Sequence, residues 1–237
     1  MANTKSIDLE LSSSQYLSIT DGDQTGLDLS TDFTIEAWIK LESALASDEL
    51  RTVVSKYGAT TTDQAYYLLL FNSSGVLQLR GLFQNTNNVT FFTKDFAFAT
   101  DTWYHVAMTA DISAASIKLY IDGVDVSAGV GDNDATTINN SSTPFIIGAR
   151  KETAADFFDG LIDDVRVWSD IRTASEISDN MSVELDGDEA GLVGYWKLNN
   201  SLLDETSNDN DLTNNNSATF SSDVPFVGAV RRIIMVE

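Results

Sequence analysis

Oxygen-bearing side chains dominate the chemistry available to this chain. Asp21, Asp23 and Thr25 fall at positions one, three and five of a twelve-residue window, with Gly26 at six and Asp32 at twelve. That is the spacing of an EF-type calcium loop, although position twelve is normally Glu and helices rather than strands normally flank it. The competing reading is an acidic turn between strands. Asp163 shares strand parity with Leu161, Val165 and Val167, so it is expected on the apolar side of its strand. A carboxylate there is costly unless backbone amides, an arginine or a metal ion satisfies it. Asp132-Asn133-Asp134 and residues 204–211, beginning at Asp204, are further oxygen-rich turns.

Aromatic rings are the second resource, because a ring face can stack on the C–H groups of a pyranose. Trp38 has opposite parity to Phe33, Ile35, Ala37 and Ile39, so it is expected with Thr34, Glu36 and Lys40, either on an open sheet face or under a loop. Phe83, Phe91, Phe92, Phe96 and Phe98 gather around Asn85-Thr86-Asn87-Asn88, a candidate hairpin tip. Trp38, Phe83 and Phe92 are the candidate ligand-contacting rings, against the general tendency of rings at strand spacing to build the core. His105 is the only histidine and cysteine is absent. Thiol catalysis, disulfides and Cys-ligated zinc are thereby excluded, and His105 is expected in a hydrogen-bonded structural role.

Thirty-six acidic residues against fourteen basic ones give 237 residues a formal charge of −22. Such a surface repels phosphate backbones and anionic lipid, so no nucleic acid and no membrane is expected among its partners. It favours solubility and divalent cations. No signal peptide is visible at the N-terminus, and the longest apolar run, 65–71, is far too short for a membrane span.

The elements that must carry these groups have a period of two. In 33–41 the odd positions are apolar, and Ile117, Leu119 and Ile121 alternate with Lys118, Tyr120 and Asp122. Asp122-Gly123 predicts a hairpin into Val124, and Asn72-Ser73-Ser74-Gly75 predicts another. Further strands are expected over 103–110, 144–150, 157–168, 192–198 and 224–236. Only 173–179 reads as helix, with Thr173 as N-cap and Glu176 at capping-box spacing. Many short strands, polar turns and one short helix predict an all-β, two-sheet antiparallel sandwich or jelly roll.

Several segments together resemble the laminin-G-like jelly rolls, pentraxin-like domains of the concanavalin A-like lectin/glucanase superfamily. They are Gln15-Tyr16-Leu17-Ser18-Ile19, Asp32 through Ile39, Trp103-Tyr104-His105-Val106-Ala107, Leu119-Tyr120-Ile121-Asp122-Gly123, Ile147-Gly148, the run from Phe158 to Trp168, and the run from Gly191 to Leu198. The resemblance covers nearly the whole chain in order. It implies one domain over 1–237, with 191–237 completing the sandwich. It also implies a structural calcium near Asp163, held with backbone carbonyls of the N-terminal segment, where Ser12-Ser13 replaces the Asp-Gly of many relatives. Asp204 sits where relatives carry an Asp-rich loop. Glu184-Leu185-Asp186-Gly187-Asp188-Glu189 spells the E-x-D-x-x-E pattern of laminarinase-type enzymes of this superfamily. It lacks the strand alternation that sets two carboxylates roughly 5–5.5 Å apart for retaining hydrolysis.

The expectation is therefore a non-catalytic recognition or adhesion module that binds glycan or glycoprotein with calcium at Asp163, Asp21, Asp23 and Asp204, outside the cell or on a surface. A second expectation is a structural surface protein, in a virion or cell-surface assembly, docking on itself or on neighbours through the apolar 227–236 stretch with Arg231-Arg232.

Overall fold

A computed structural model describes residues 3–150 and 156–226. The expected C-terminal docking stretch 227–236 lies outside the described residues. The strands run β1 Ser6–Leu9, β2 Tyr16–Ile19, β3 Phe33–Leu41, β4 Leu50–Tyr57, β5 Gln64–Ser73, β6 Val76–Gln84, β7 Val89–Asp95 and β8 Trp103–Asp111. They continue with β9 Ser116–Ile121, β10 Val124–Asp125, β11 Val130–Asn133, β12 Phe145–Ile147, β13 Gly160–Trp168, β14 Leu192–Trp196, β15 Thr213–Asn215 and β16 Thr219–Ser221; α1 is Ala174–Asn180.

Among the described residues the strands form two sheets of eight. Sheet A runs β10-β9-β8-β3-β13-β1-β16, with β14 also on β13; sheet B runs β11-β7-β6-β5-β4-β12-β2-β15. Strands neighbouring in sequence pair as hairpins (β4 to β7, β8 to β10), while β1, β2, β15 and β16 come from opposite ends of the chain and close both sheets. The all-β jelly roll is as expected. Both expected hairpins form, with Asp122 and Gly123 at φ 49° and 74° and Ser74 and Gly75 at 51° and 94°. These left-handed pairs match the strand twist.

The inner faces interlock through Phe33, Ile35, Ile39, Val54, Tyr66, Leu68, Leu70, Val106, Met108 and Ile147, all essentially buried. Trp196 stacks on Phe145 at 5.0 Å across the sandwich. Phe83 belongs to this core, fully buried with its ring 6.5 Å from that of Phe33. Its assignment as a ligand-contacting ring is corrected: an odd position in β6 faces inward with Leu79.

β13 carries the main departure from simple alternation. Ile162, Val165 and Val167 all lie in the core, so parity changes between 162 and 165. The register against β3 shifts between Asp163 and Arg166, and Asp164 adopts a left-handed φ of 47°. This bulge turns Asp163 to the outer face of sheet A, beside its cross-strand partner Trp38, and not inward with Val165 and Val167 as the pattern predicted. Gly160 opens the strand at φ 135°, where a Cβ would lie 2.1 Å from the Lys40 carbonyl oxygen.

Candidate functional site

Each sheet has an outer face, and the two are treated very differently. On sheet A, α1 lies across the strands. Its N-cap is Thr173, whose hydroxyl accepts from Glu176 N–H while the Glu176 carboxylate accepts from Thr173 N–H, the expected capping box. Ile177 packs on Ala107 and Tyr120. The chain after the helix and the segment reaching 226 finish the cover. Trp38 Nε1 donates to the Met181 carbonyl at 2.5 Å, and its ring lies between His105 and Phe226. Of the two readings of Trp38, the covered one holds, so it is not an open sugar platform.

Beneath that cover lies an ionic network. Glu36 accepts from Trp168 Nε1 at 2.9 Å and meets His105 Nε2 at 3.3 Å and Arg166 at 3.6 Å. Arg166 pairs with Asp164 at 2.5 Å and donates to the Asn180 and Val183 carbonyls. Burial alone would raise the Glu36 pKa, but the His105 hydrogen bond and the Arg166 charge outweigh it and hold it at about 2. For Asp164 burial wins over Arg166 and the Tyr195 hydrogen bond, pushing it up to about 6. The network ties the helix and its following loop to the sheet, and His105 has the structural role expected of it.

Asp163 lies close by and is fully buried. Asn3 Nδ2 donates to one oxygen at 2.7 Å and Asp164 N–H to the other at 3.0 Å. Burial, with Asp164 and Glu184 adding negative charge, raises its pKa well above the usual carboxylate range. Asn3 is only 3% exposed, yet its Oδ1 has no hydrogen-bond partner. Glu184 accepts from Asn199 Nδ2 at 3.2 Å. Among the described residues Asp163 thus has no cationic partner, and its neighbourhood offers an orphaned amide oxygen and the negative charge of Glu184, hard-oxygen chemistry of the kind calcium takes. The N-terminal residue that meets Asp163 is Asn3, 160 residues from its partner, and not the Ser12-Ser13 segment.

The other metal assignments are corrected. Asp21 does not combine with Asp23 and Asp32. Its carboxylate and that of Asp28 take the ammonium of Lys56, at 2.5 and 3.1 Å, and the Ser141 and Thr143 carbonyls complete the cage at 2.6 and 2.8 Å. A tethered cation from β4 thus takes Asp21 out of the shell that the loop seemed to offer and pairs it with Asp28 instead. Asp23 bonds the Thr20 hydroxyl, and Asp32 caps Ile112 N–H. Asp204 is saturated by four donors: Tyr195 N–H, Thr206 N–H, the Thr206 hydroxyl and Asn210 N–H. It organises its turn. The Glu184–Glu189 segment is a loop, where Glu189 accepts from the amides of Asp186 and Gly187. Elsewhere Asp8, Glu10 and Glu42 bring carboxylate oxygens within 4.8 Å of one another.

On the outer face of sheet B several aromatic and polar side chains remain half-exposed. Register sets Phe71 beside Gln78, Leu69 beside Arg80 and Thr93, and Tyr67 beside Leu82 and Phe91. Tyr57 packs on Tyr67 at 5.2 Å, and its hydroxyl begins a chain through Gln84 to Gln64. The Arg80 guanidinium lies over Phe71 at 4.7 Å and near Phe91 at 5.6 Å. Phe91, Phe71 and Tyr57 are therefore the half-exposed rings on this face, with Tyr67 buried beside them. Phe92, one residue along β7, faces inward opposite Gly81 and packs on the core, correcting its assignment. The alternation of Gln78 and Arg80 with Leu77 and Leu79 was the available signal for this face.

The laminin-G-type family described as "Concanavalin A-like lectin/glucanases superfamily" matches residues 11–178. The chain belongs to this family. A comparison with curated proteins returns no match. Among solved structures, a Bacteroides ovatus protein provisionally designated carbohydrate binding superposes with a TM-score of 0.71 at 22% identity. The alignment covers 97% of this chain, which spans 62% of that protein's length. A heptameric SAP-like pentraxin from Limulus polyphemus gives 0.56 at 14% identity, covering 92% and 94%. The Ruminococcus gnavus sialidase CBM40 bound to α2,3 sialyllactose gives 0.54 at 16% identity, covering 76% and 98%. At these identities the neighbours share the fold. Among the described residues, no helix is long and apolar enough to cross a membrane.

Proposed function

We propose that this domain is a non-catalytic glycan-binding module whose ligand lies on the outer face of sheet B. One observation carries this reading: half-exposed Tyr57, Phe71 and Phe91 lie there among Gln64, Gln78 and Arg80, whereas α1 and its loop cover the central strands of sheet A and leave beside the helix only a cleft lined mostly by polar and charged side chains, such as Thr109, Lys118 and Arg172. Half-exposed rings beside amides and a guanidinium are what a sugar needs, since its C–H faces stack while its hydroxyls exchange hydrogen bonds. Family membership and the carbohydrate-binding neighbours support the reading. The same proposal places the protein outside the cell or on a surface, meeting glycans or glycoproteins.

Calcium enters as a structural ion. Asp163, Asn3 through its orphaned Oδ1, and Glu184 are the residues that would hold it, and the ion would supply the positive charge that Asp163 lacks. Because this cluster lies on the other sheet, chelation acts on stability first and on glycan binding only through it.

The test is a glycan array probed with the wild type, Phe71→Ala and Phe91→Ala, each first shown to melt cooperatively. Each truncation should weaken a bound glycan by up to about tenfold, the scale of a lost aromatic contact. A glycan whose binding is indifferent to both truncations would move the site off this face.

A further inference from the structure

Among the described residues Arg80, like Lys5 and Lys94, meets no carboxylate, and of these three Arg80 is the one flanked by the rings of the proposed glycan face. Lys40, Arg51, Lys56, Lys118, Arg150, Arg166, Arg172 and Lys197 each meet a carboxylate. Arg80 has no such partner among the described residues, in a chain with 36 acidic side chains to choose from. Its position is nevertheless well defined. Its Nε donates to the Thr93 hydroxyl at 3.0 Å, and the rings of Phe71 and Phe91 flank the guanidinium. The nearby Asp95 carboxylate is engaged by Gln78 Nε2 at 2.7 Å. Burial lowers the Arg80 pKa, and no neighbouring charge contributes to that shift. Both Nη groups therefore remain without a described partner, on a guanidinium already held in orientation by a hydroxyl and two rings. Thr93 and Gln78 also line a small cleft of about 120 Å³ with Lys94, Asp95, Ala128 and Gly129.

We propose that the sheet-face site takes an acidic glycan, and that the Arg80 guanidinium receives the carboxylate of its uronic or sialic acid residue. The inference rests on the glycan-binding reading and adds the class of sugar. A planar carboxylate matches the two free Nη groups of a fork fixed at Nε. The flanking rings exclude water from one side of the pair and leave the pyranose a surface to stack on. The overall charge of −22 makes selection sharper, because an anion gains nothing from the rest of the surface and must be held locally.

The experiment titrates the intact protein with three matched sets: oligosaccharides ending in a uronic or sialic acid, their methyl esters, and their neutral parents. The wild type is expected to prefer the acids, losing about 10- to 100-fold on esterification, the scale of a charged hydrogen-bonded pair. Arg80→Gln should remove that preference, so that acids, esters and neutral parents bind alike, and Arg80→Lys should restore part of it. Esters that bind as well as acids, or an acid preference retained in Arg80→Gln, would overturn the assignment while the glycan-binding reading stands. Silence toward all three sets would reject that reading, and this inference with it. If Arg80→Gln does not fold, the comparison of acid with ester on the wild type still decides.

Discussion

Replacing Asp163 by Asn should stabilise the calcium-free domain and abolish the stabilisation that calcium confers. The carboxylate is fully buried with two hydrogen bonds and, among the described residues, no cationic partner, and burial raises its pKa well above the ordinary value. An acidic group whose pKa is raised on folding makes the folded state less stable at neutral pH than a neutral side chain of the same shape would. Asparagine has nearly the same volume and no charge. With the Asn3 amide turned over, the new Nδ2 can donate to the Asn3 Oδ1 that now lacks a partner. In the wild type, calcium at a hundredfold excess over its Kd should add about 2.7 kcal/mol. For a domain of this length that corresponds to a rise of roughly 5–10 °C in Tm. The assay is thermal unfolding of both proteins at pH 7, in excess chelator and in millimolar calcium. The wild type should gain and Asp163→Asn should not, while Asn3→Ala should show a diminished gain without the higher starting stability. The reasoning is refuted if Asp163→Asn melts below the wild type in chelator and both proteins gain equally from calcium.

Two further expectations concern the buried charges. Lys56→Met should cost stability toward the lower end of ~3–5 kcal/mol, because Asp21 and Asp28 still reach solvent while the Ser141 and Thr143 carbonyls lose their donor; urea unfolding reads this directly, and an unchanged midpoint would mean the cage is not a stabilising contact. The pH dependence without calcium should have a maximum on the acid side of neutrality. Asp164, raised to about 6, and Asp163, Asp8 and Glu42, raised in the same direction, each make the folded state bind protons more tightly, so stability rises as pH falls from about 7 toward 5. Glu36, held at about 2, contributes stability above its unfolded pKa near 4.5, on the order of 3 kcal/mol, which is lost as pH falls from 4.5 to 2. Glu36→Gln should therefore be destabilising at pH 7 and nearly neutral at pH 2. A wild-type Tm that falls steadily from pH 7 downward contradicts the ordering.

What could be read in the chain was whatever is decided between neighbours in sequence. Alternation in 33–41 is a local property, and it correctly placed Phe33, Ile35 and Ile39 inside and Trp38 outside. Asp122-Gly123 forms its hairpin because the turn residues alone adopt the left-handed pair the twist requires. Thr173 and Glu176 cap α1 because both partners lie within one turn. These signals, with the ordered motifs of the family, were sufficient for an all-β sandwich.

The site needed contacts that no local pattern contains. One residue in a left-handed conformation, Asp164, reverses the parity of β13 and turns Asp163 away from the core, to meet an asparagine 160 positions earlier. The twelve-residue spacing beginning at Asp21 looked like a metal loop, but β4 brings Lys56 to Asp21 and Asp28 while Asp23 and Asp32 bond elsewhere. Phe91 and Phe92 are indistinguishable as neighbours in a list of residues, and only the pairing of β7 with β6 turns one outward and the other into the core. Arg80 acquires its meaning from what surrounds it: two rings from adjacent strands, a threonine hydroxyl, and no paired carboxylate among the described residues. The amino-acid sequence determined which elements form, because turn chemistry and burial period act over a few residues. The tertiary structure decided which charges are compensated, because compensation depends on distances across strands that sequence separation does not encode.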